Sequence, residues 1–466
     1  MYDLLLKGAH VVDPLNGVNG VNDVAVEGGK VAAVGPDLTG PAREVIDVSG
    51  WVLQPGIIDS HVHLGSMWGS PYGPRMLAMN GVTTCLDMAG PLDDILEKTP
   101  QYGAGLNTAI LQFASPPFTF KTNAPSKAEM VELIDKSLAE GALGVKLLGG
   151  HYPLTPEVSS TLIKTALERR AYVAWHAGTS AHGSNLEGMI EAVQMADGYP
   201  LHLAHINAYC RGAIKNEIDE ARTAIELLNA NPNIFSESYI SPKNGTRLTC
   251  GPDGKIQSKV TGNCLRHFGF TEDRDGVRKA LLAHKAFAVY DAGGYSDLMT
   301  GEDAVKLWES HNTDVGGSFN INPPIPRILL AQVKRPDGAF VVDAISTDGG
   351  CIPRNVILSQ GLSLVKLDVL TLAEFAQKTS LNPARMLRLT AKGHLSVGAD
   401  ADITIYDYAT QTPKMSFVEG RKVLFKGEVL GKNANIICTE RGQKAIEARG
   451  LKAIVVDPGL PVDRVK

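Results

Sequence analysis

The chain has 466 residues, 44% hydrophobic and 20% charged, with 48 glycines, 26 prolines and a formal net charge of −5. That length holds one large α/β domain plus a smaller one, and the profile excludes disorder, a fibrous repeat and a basic nucleic-acid-binding surface. No apolar stretch approaches the roughly 18 residues that span a bilayer, and residues 1–7 lack a basic segment leading into an apolar one, so a cytoplasmic protein without membrane contact is expected. The six cysteines, Cys85, Cys210, Cys250, Cys264, Cys351 and Cys438, form no CxxC pair and suggest neither a disulfide framework nor a thiolate zinc site.

Residues 2–54 hold short segments of β character at 23–27, 30–34 and 44–48, each bounded by Gly, Pro or Asn, which read as antiparallel hairpins. The same texture returns at 401–406 and 421–430. The economical reading is one discontinuous β-sandwich domain built from residues 1–54 and 398–466.

Residues 55–397 alternate strand with helix, the mark of a parallel sheet with crossover helices. Eight apolar strand candidates fall at 56–61, 82–87, 108–113, 143–148, 171–176, 201–206, 233–239 and 342–348. Runs with apolar residues at i, i+3 and i+4 lie between them, as at 126–140, 156–170 and 213–229. Eight βα units imply a (β/α)8 TIM barrel. The stretch from strand seven to strand eight far exceeds the usual loop of about two to six residues, so residues 240–340 read as an insertion, a lid or substrate loop.

The most telling local motif is Pro55-Gly56-Ile57-Ile58-Asp59-Ser60-His61-Val62-His63. Residues two apart on a strand project on the same side, so two imidazoles can reach one cation. Among 12 histidines such a pair arises by accident, but this one ends a barrel strand, where barrels carry their reactive groups. Other metal-capable residues fall at matching strand ends: Lys146 on the fourth, His176 on the fifth, His205 on the sixth and Asp348 on the eighth. Four imidazoles, a carboxylate and a lysine could bind two divalent ions if the lysine supplied a bridging oxygen, which a free ammonium cannot do.

With these residues in place, the chain resembles the amidohydrolase superfamily, in the hydantoinase, dihydroorotase, isoaspartyl-dipeptidase and D-aminoacylase group. The likeness is carried by the strand-one motif, by Gly81-Val82-Thr83-Thr84, by Asn382-Pro383-Ala384 and by Gly398-Ala399-Asp400-Ala401-Asp402-Ile403. It implies that Lys146 is modified by carbon dioxide to a carbamate bridging two metal ions. His61, His63 and Asp348 would hold the first ion, and His176 and His205 the second. Imidazole and carboxylate ligands and a hydrolysis without redox change suit zinc. The reaction implied is cleavage of a C–N amide bond in a cyclic amide or an N-acyl or peptide-like amide. A metal-bridging hydroxide would attack the carbonyl, with Asp348 as general base and then general acid. The oxyanion needs a further donor, and His151 and Tyr152, shortly after Lys146, are the candidates. The partner is a small-molecule substrate, and relatives of this kind imply a homo-oligomer.

Some positions have rivals. His202 competes with His205 and is expected on the opposite strand face as a core histidine; His182 reads as loop surface. Asp343 also flanks strand eight, but Asp348 stands at the C-terminal end. Ser238, Tyr239 and Arg354 are placed to bind substrate, with Cys351 nearby, and the inserted cations Lys243, Arg247, Lys255, Lys259 and Arg266 could meet a substrate carboxylate. A single-metal deaminase is the nearest alternative function, disfavoured because no acid follows His176 before Glu187. A D-aminoacylase-like arrangement would use Cys85 as a ligand, and a non-catalytic scaffold like the dihydropyrimidinase-related proteins would have lost ligands that are present here.

Overall fold

The computed structural model describes residues 1–462 and 464. All eight expected barrel strands are present, at Ile57–His63, Val82–Ala89, Ala104–Ala114, Gly144–Leu148, Tyr172–His176, Leu201–Leu203, Ile234–Tyr239 and Ala344–Ser346, the sixth shorter than the expected 201–206 and the eighth interrupted and resuming at Gly349–Gly350. Neighbours pair in parallel around the ring. The ring closes where Gly349 and Gly350 pair with Val62 and His63, giving the (β/α)8 architecture.

The crossover helices owe their boundaries to local chemistry. Ser126 caps Lys127–Glu140 through a reciprocal capping box with Glu129, Thr155 caps Pro156–Glu168, and Asn216 caps Glu217–Ala230. Their apolar faces pack on the outside of the sheet, where Met130, Ile134, Leu162, Ala166, Ala221 and Leu228 meet Val145, Val173 and Leu203.

The terminal β domain is a nine-stranded sheet drawn from both ends of the chain. Its first strand, Tyr2–Asp13, pairs in parallel with Ala42–Asp47 along one half and with Val52–Pro55 along the other. Ile403–Asp407 joins antiparallel to Val52–Pro55, and Leu6, Val11, Val24, Leu53, Ile403 and Phe417 fill the core. The later strands Asn433–Cys438 and Lys452–Val455 leave this sheet and extend the barrel alongside Ala104–Ala114.

The long insertion is a folded unit with a core of its own rather than an open loop. Strands Thr246–Arg247, Ala286–Asp291, Ser296–Met299 and Gly316–Phe319 form a four-stranded sheet. Helices Lys259–His267, Arg274–Leu282 and Glu302–Ser310 pack on it around Leu248, Leu265, Val277, Leu281, Trp308 and Phe319. Helix Pro324–Gln332 belongs to the barrel layer, with Leu330 packed beside Leu228 and Ile234. Among the described residues no helix is long and apolar enough to cross a membrane.

Candidate active site

A cavity of about 730 Å³ opens at the C-terminal mouth of the barrel, lined by His61, His63, Lys146, His151, His176, His205, Tyr239, Asp348 and Arg354. One side is a tight group. Asp348 Oδ1 lies 2.8 Å from His63 Nε2 and 3.3 Å from His61 Nε2, and the ligand atoms of all three residues fall within 4.8 Å of one another. Burial alone would raise the Asp348 carboxyl, but the Arg354 guanidinium and the two imidazoles hold it well below the usual carboxylate range. Arg354 pairs with Asp348 Oδ2 at 2.6 Å, donates to its backbone carbonyl at 2.5 Å and lies over the Tyr239 ring.

The other side is a histidine pair, with His205 Nε2 2.9 Å from His176 Nδ1. Ser184 Oγ lies 2.7 Å from His176 Nε2 and fixes that ring. The two sides meet where the His61 and His205 rings stack, centroids 5.1 Å apart.

Lys146 is buried at 1% exposure, and its amine donates to the Met88 sulfur at 2.9 Å, a weak acceptor. Burial drives its pKa down to about 7, against the pull of Glu237, Asp348 and Asp87. Burial thus favours the neutral amine, the form that a nucleophilic lysine requires.

Two backbone features aim these side chains. His205 and Asp348 both sit in the left-handed region, with φ of 36° and 52°, which is uncommon for residues other than glycine and clusters at functional sites. Strand six stops at Leu203, and the left-handed turn at His205 swings that imidazole into the mouth. As a result His202 also faces the barrel interior, not the opposite face expected from a continuous strand. It lies one layer down, with Nδ1 2.8 Å from the Tyr172 hydroxyl and Nε2 4.0 Å from Glu237.

Glu237 is a residue of the site that sequence reasoning missed. It is fully buried, and its Oε1 accepts from the His205 amide at 2.6 Å and lies 2.6 Å from His61 Nδ1. Ser346 Oγ donates to Oε2. One carboxyl group thus holds the ring of His61 and the backbone of His205, one on each side of the site, while burial pushes its own pKa up to about 8. Its signal in the sequence was an acid at an inward strand position, flanked by serines. Asp59, quoted only as part of the strand-one motif, accepts from the Thr347 amide at 3.1 Å and from the Thr347 hydroxyl, tying strand one to strand eight.

The remaining candidates separate by position. His151 lines the cavity 5.5 Å from the His176 ring, and burial lowers its pKa to about 4, leaving a neutral imidazole. Tyr152 turns away to Phe118 and the cluster of Ala89, Phe113 and Leu148. Tyr239 is on the cavity wall, whereas Ser238 is turned to Asn207 at 3.1 Å. Arg354 is occupied by Asp348. Cys85 packs with Ile57, Val62, Leu77 and Leu96 in the layer between sheet and helices, away from the imidazoles. His182 pairs with Glu191 at 3.0 Å. Asp343 accepts from the Ser236 amide and pairs with Arg464 at the far end of strand eight. Lys259 and Arg266 reach the cavity from the inserted unit.

The donor set suits a divalent cation. His63 Nδ1 and His205 Nδ1 are buried without a hydrogen-bond partner, an arrangement that calls for explanation in a folded protein, and nitrogen and carboxylate donors match zinc. The fold and this cluster define a class: barrel proteins with a metal-capable centre at the strand C-termini.

Comparison with known proteins narrows the class. The Amidohydrolase family model matches residues 363–430. The dihydroorotase of Geobacter metallireducens is 25% identical over 431 residues, covering 87% of this chain and 90% of that protein. The allantoinase of Deinococcus radiodurans is 26% identical over 489 residues, covering 95% and 98%. Among solved structures, the N-acyl-D-glutamate deacylase of Bordetella bronchiseptica, complexed with zinc and a phosphonate inhibitor, superposes with a TM-score of 0.66 at 16% identity, covering 93% of this chain and 99% of that one. The chain carries an amidohydrolase family match, is similar to dihydroorotase and allantoinase over nearly its whole length, and is an enzyme of the kind that hydrolyses C–N bonds.

Proposed function

We propose that this protein is a metal-dependent hydrolase that cleaves the C–N bond of a cyclic amide or an N-acyl amide. His61, His63 and Asp348 would hold one divalent ion and His176 and His205 a second, with zinc the ion the donors suit best. Lys146, carbamylated by carbon dioxide with loss of one proton, would supply the two bridging oxygens. The observation that carries the reading is the Lys146 amine itself: buried, lowered to about 7 and lining the same cavity as both histidine groups. Dihydroorotase and allantoinase, which act on cyclic amides, support the substrate class, and the zinc in the deacylase supports the ion.

An ion pair of this kind, when bound, makes water acidic enough to act near neutral pH and polarises a carbonyl. Asp348, ionised because Arg354 and the imidazoles hold its pKa down, takes the water proton. It then delivers that proton to the leaving nitrogen. His151, neutral and on the wall, donates to the developing oxyanion. Glu237 keeps His61 and His205 in register throughout.

Metal analysis of protein prepared with zinc and bicarbonate tests the reading, together with a turnover screen of hydantoins, dihydropyrimidines, N-acyl amino acids and dipeptides. Two ions per chain and hydrolysis of one class are expected. A single ion would favour the one-metal deaminase, for which the tight His61, His63 and Asp348 group is sufficient; no ion and no turnover would overturn both.

A further inference from the structure

We propose that Arg211 anchors an anionic group of the substrate, so that the amide cleaved here carries a carboxylate near its scissile bond. This rests on the hydrolase reading and deepens it. Arg211 follows the short turn that begins at His205 and lies half-buried on the cavity wall. Its guanidinium is held by neutral acceptors alone: Nε donates to Asn322 Oδ1 at 2.8 Å and Nη2 to the Tyr239 hydroxyl at 2.8 Å.

The other wall arginines are neutralised within the protein. Arg354 is paired with Asp348, and Arg266 with Glu272. Among the described residues no carboxylate forms an ion pair with Arg211. A partly desolvated guanidinium that is fixed in place yet left without a counter-ion costs free energy unless an anion arrives. Its planar fork suits a carboxylate.

The position also sets where that anion lies. The Tyr239 hydroxyl that Arg211 grips belongs to a ring whose centroid is 6.2 Å from that of His205. The charge therefore sits beside the His176 and His205 side of the centre, one phenol ring away, and orients an amide whose carbonyl faces the imidazoles. N-acyl and N-carbamoyl amino acids and cyclic ureides bearing a carboxylate have this shape. Neutral hydantoins and dihydropyrimidines leave the guanidinium uncompensated.

The test uses metal-loaded protein and matched pairs of N-acetyl and N-carbamoyl amino acids, each beside its twin with the carboxylate converted to a primary carboxamide. Wild type is expected to favour the anionic member. Arg211→Met is expected to reduce the ratio of kcat/KM between the members by about 10- to 100-fold, chiefly through KM, because a charge-assisted contact is lost. Arg211→Lys should recover part of that ratio. An unchanged ratio in Arg211→Met, or preference of wild type for the neutral twin, overturns the proposal. If wild type hydrolyses neither member, the hydrolase reading fails, and the anchor is then judged by calorimetric titration of the same carboxylates. Binding that Arg211→Met loses and Arg211→Lys retains supports the anchor, and no binding to wild type overturns it.

Discussion

Two lysines are buried in this barrel at opposite ends, Lys146 at the mouth and Lys378 at the base, with exposures of 1% and 0%. Burial lowers each to about 7. They differ in what receives their hydrogen bonds. Lys378 donates to the Val342 carbonyl at 2.6 Å and lies 4.2 Å above the Phe340 ring, so its nitrogen is committed to the start of strand eight. Among the described residues Lys146 has only the Met88 sulfur, and it borders an open cavity. Equal burial and equal acidity therefore do not make equal chemistry: a nucleophilic amine needs room and unclaimed donors, and only the mouth provides both.

The largest effect that would break this contrast comes from the mouth. Lys146→Ala should lose the paired metal and lower kcat/KM by at least about 10³-fold, as expected when several kcal/mol of charge stabilisation vanish. Added short carboxylates should restore part of both, and unchanged metal content would refute the bridging role. With 13C-labelled bicarbonate, a carbamate resonance should appear in wild type and in Lys378→Met, and be missing from Lys146→Ala.

A second comparison sharpens where the mouth ends. His151→Ala should reduce kcat by about 10²-fold if it serves the oxyanion, whereas Tyr152→Phe, behind the wall, should change it little; steady-state rates on one substrate would show a reversed order if the register is wrong. Glu237→Gln should weaken zinc affinity by about 10- to 100-fold, the range found for residues that orient metal ligands. Chelator competition would read it, and an unaltered affinity would reduce Glu237 to packing.

The last effect, on stability rather than on turnover, belongs to the base. Native Lys378 loses its proton near pH 7 while its unfolded counterpart does so near 10.5, so between those values the unfolded chain binds more protons. Stability therefore rises with pH through that window, by up to about 1.4 kcal/mol per unit from this group. Lys378→Met should lower the slope of unfolding free energy between pH 7 and 10 relative to wild type. An identical slope would show that Lys378 keeps its proton when buried.

The sequence made the barrel legible because each strand is an apolar run with a chemically marked end, and His61, His63, Lys146, His176, His205 and Asp348 all occupy such ends. Glu237 was hidden because an acid between two serines resembles a solvated residue until His61 and His205 close on it across the ring. His202 was misjudged because period-two alternation assumes an unbroken strand, and the left-handed turn at His205 breaks it. Arg211 carried no motif at all; only Tyr239 and Asn322, from distant segments, make it conspicuous. The inserted unit was read as a loop because its strands are short, although Leu248, Trp308 and Phe319 give it a core.

The seam of the barrel has a consequence for biosynthesis. Strand eight closes against strand one through the Asp348 amide, which donates to the His61 carbonyl at 2.9 Å, beside the Asp59 and Thr347 bonds. His63 and Asp348 are 285 positions apart, so the ribosome delivers the imidazoles long before the carboxylate. On the proposed metal reading, a nascent chain holding only the earlier strands would lack the carboxylate ligand of the first ion until strand eight docks. Completion of that ligand set would then report the docking of strand eight, a long-range step that topology makes slow.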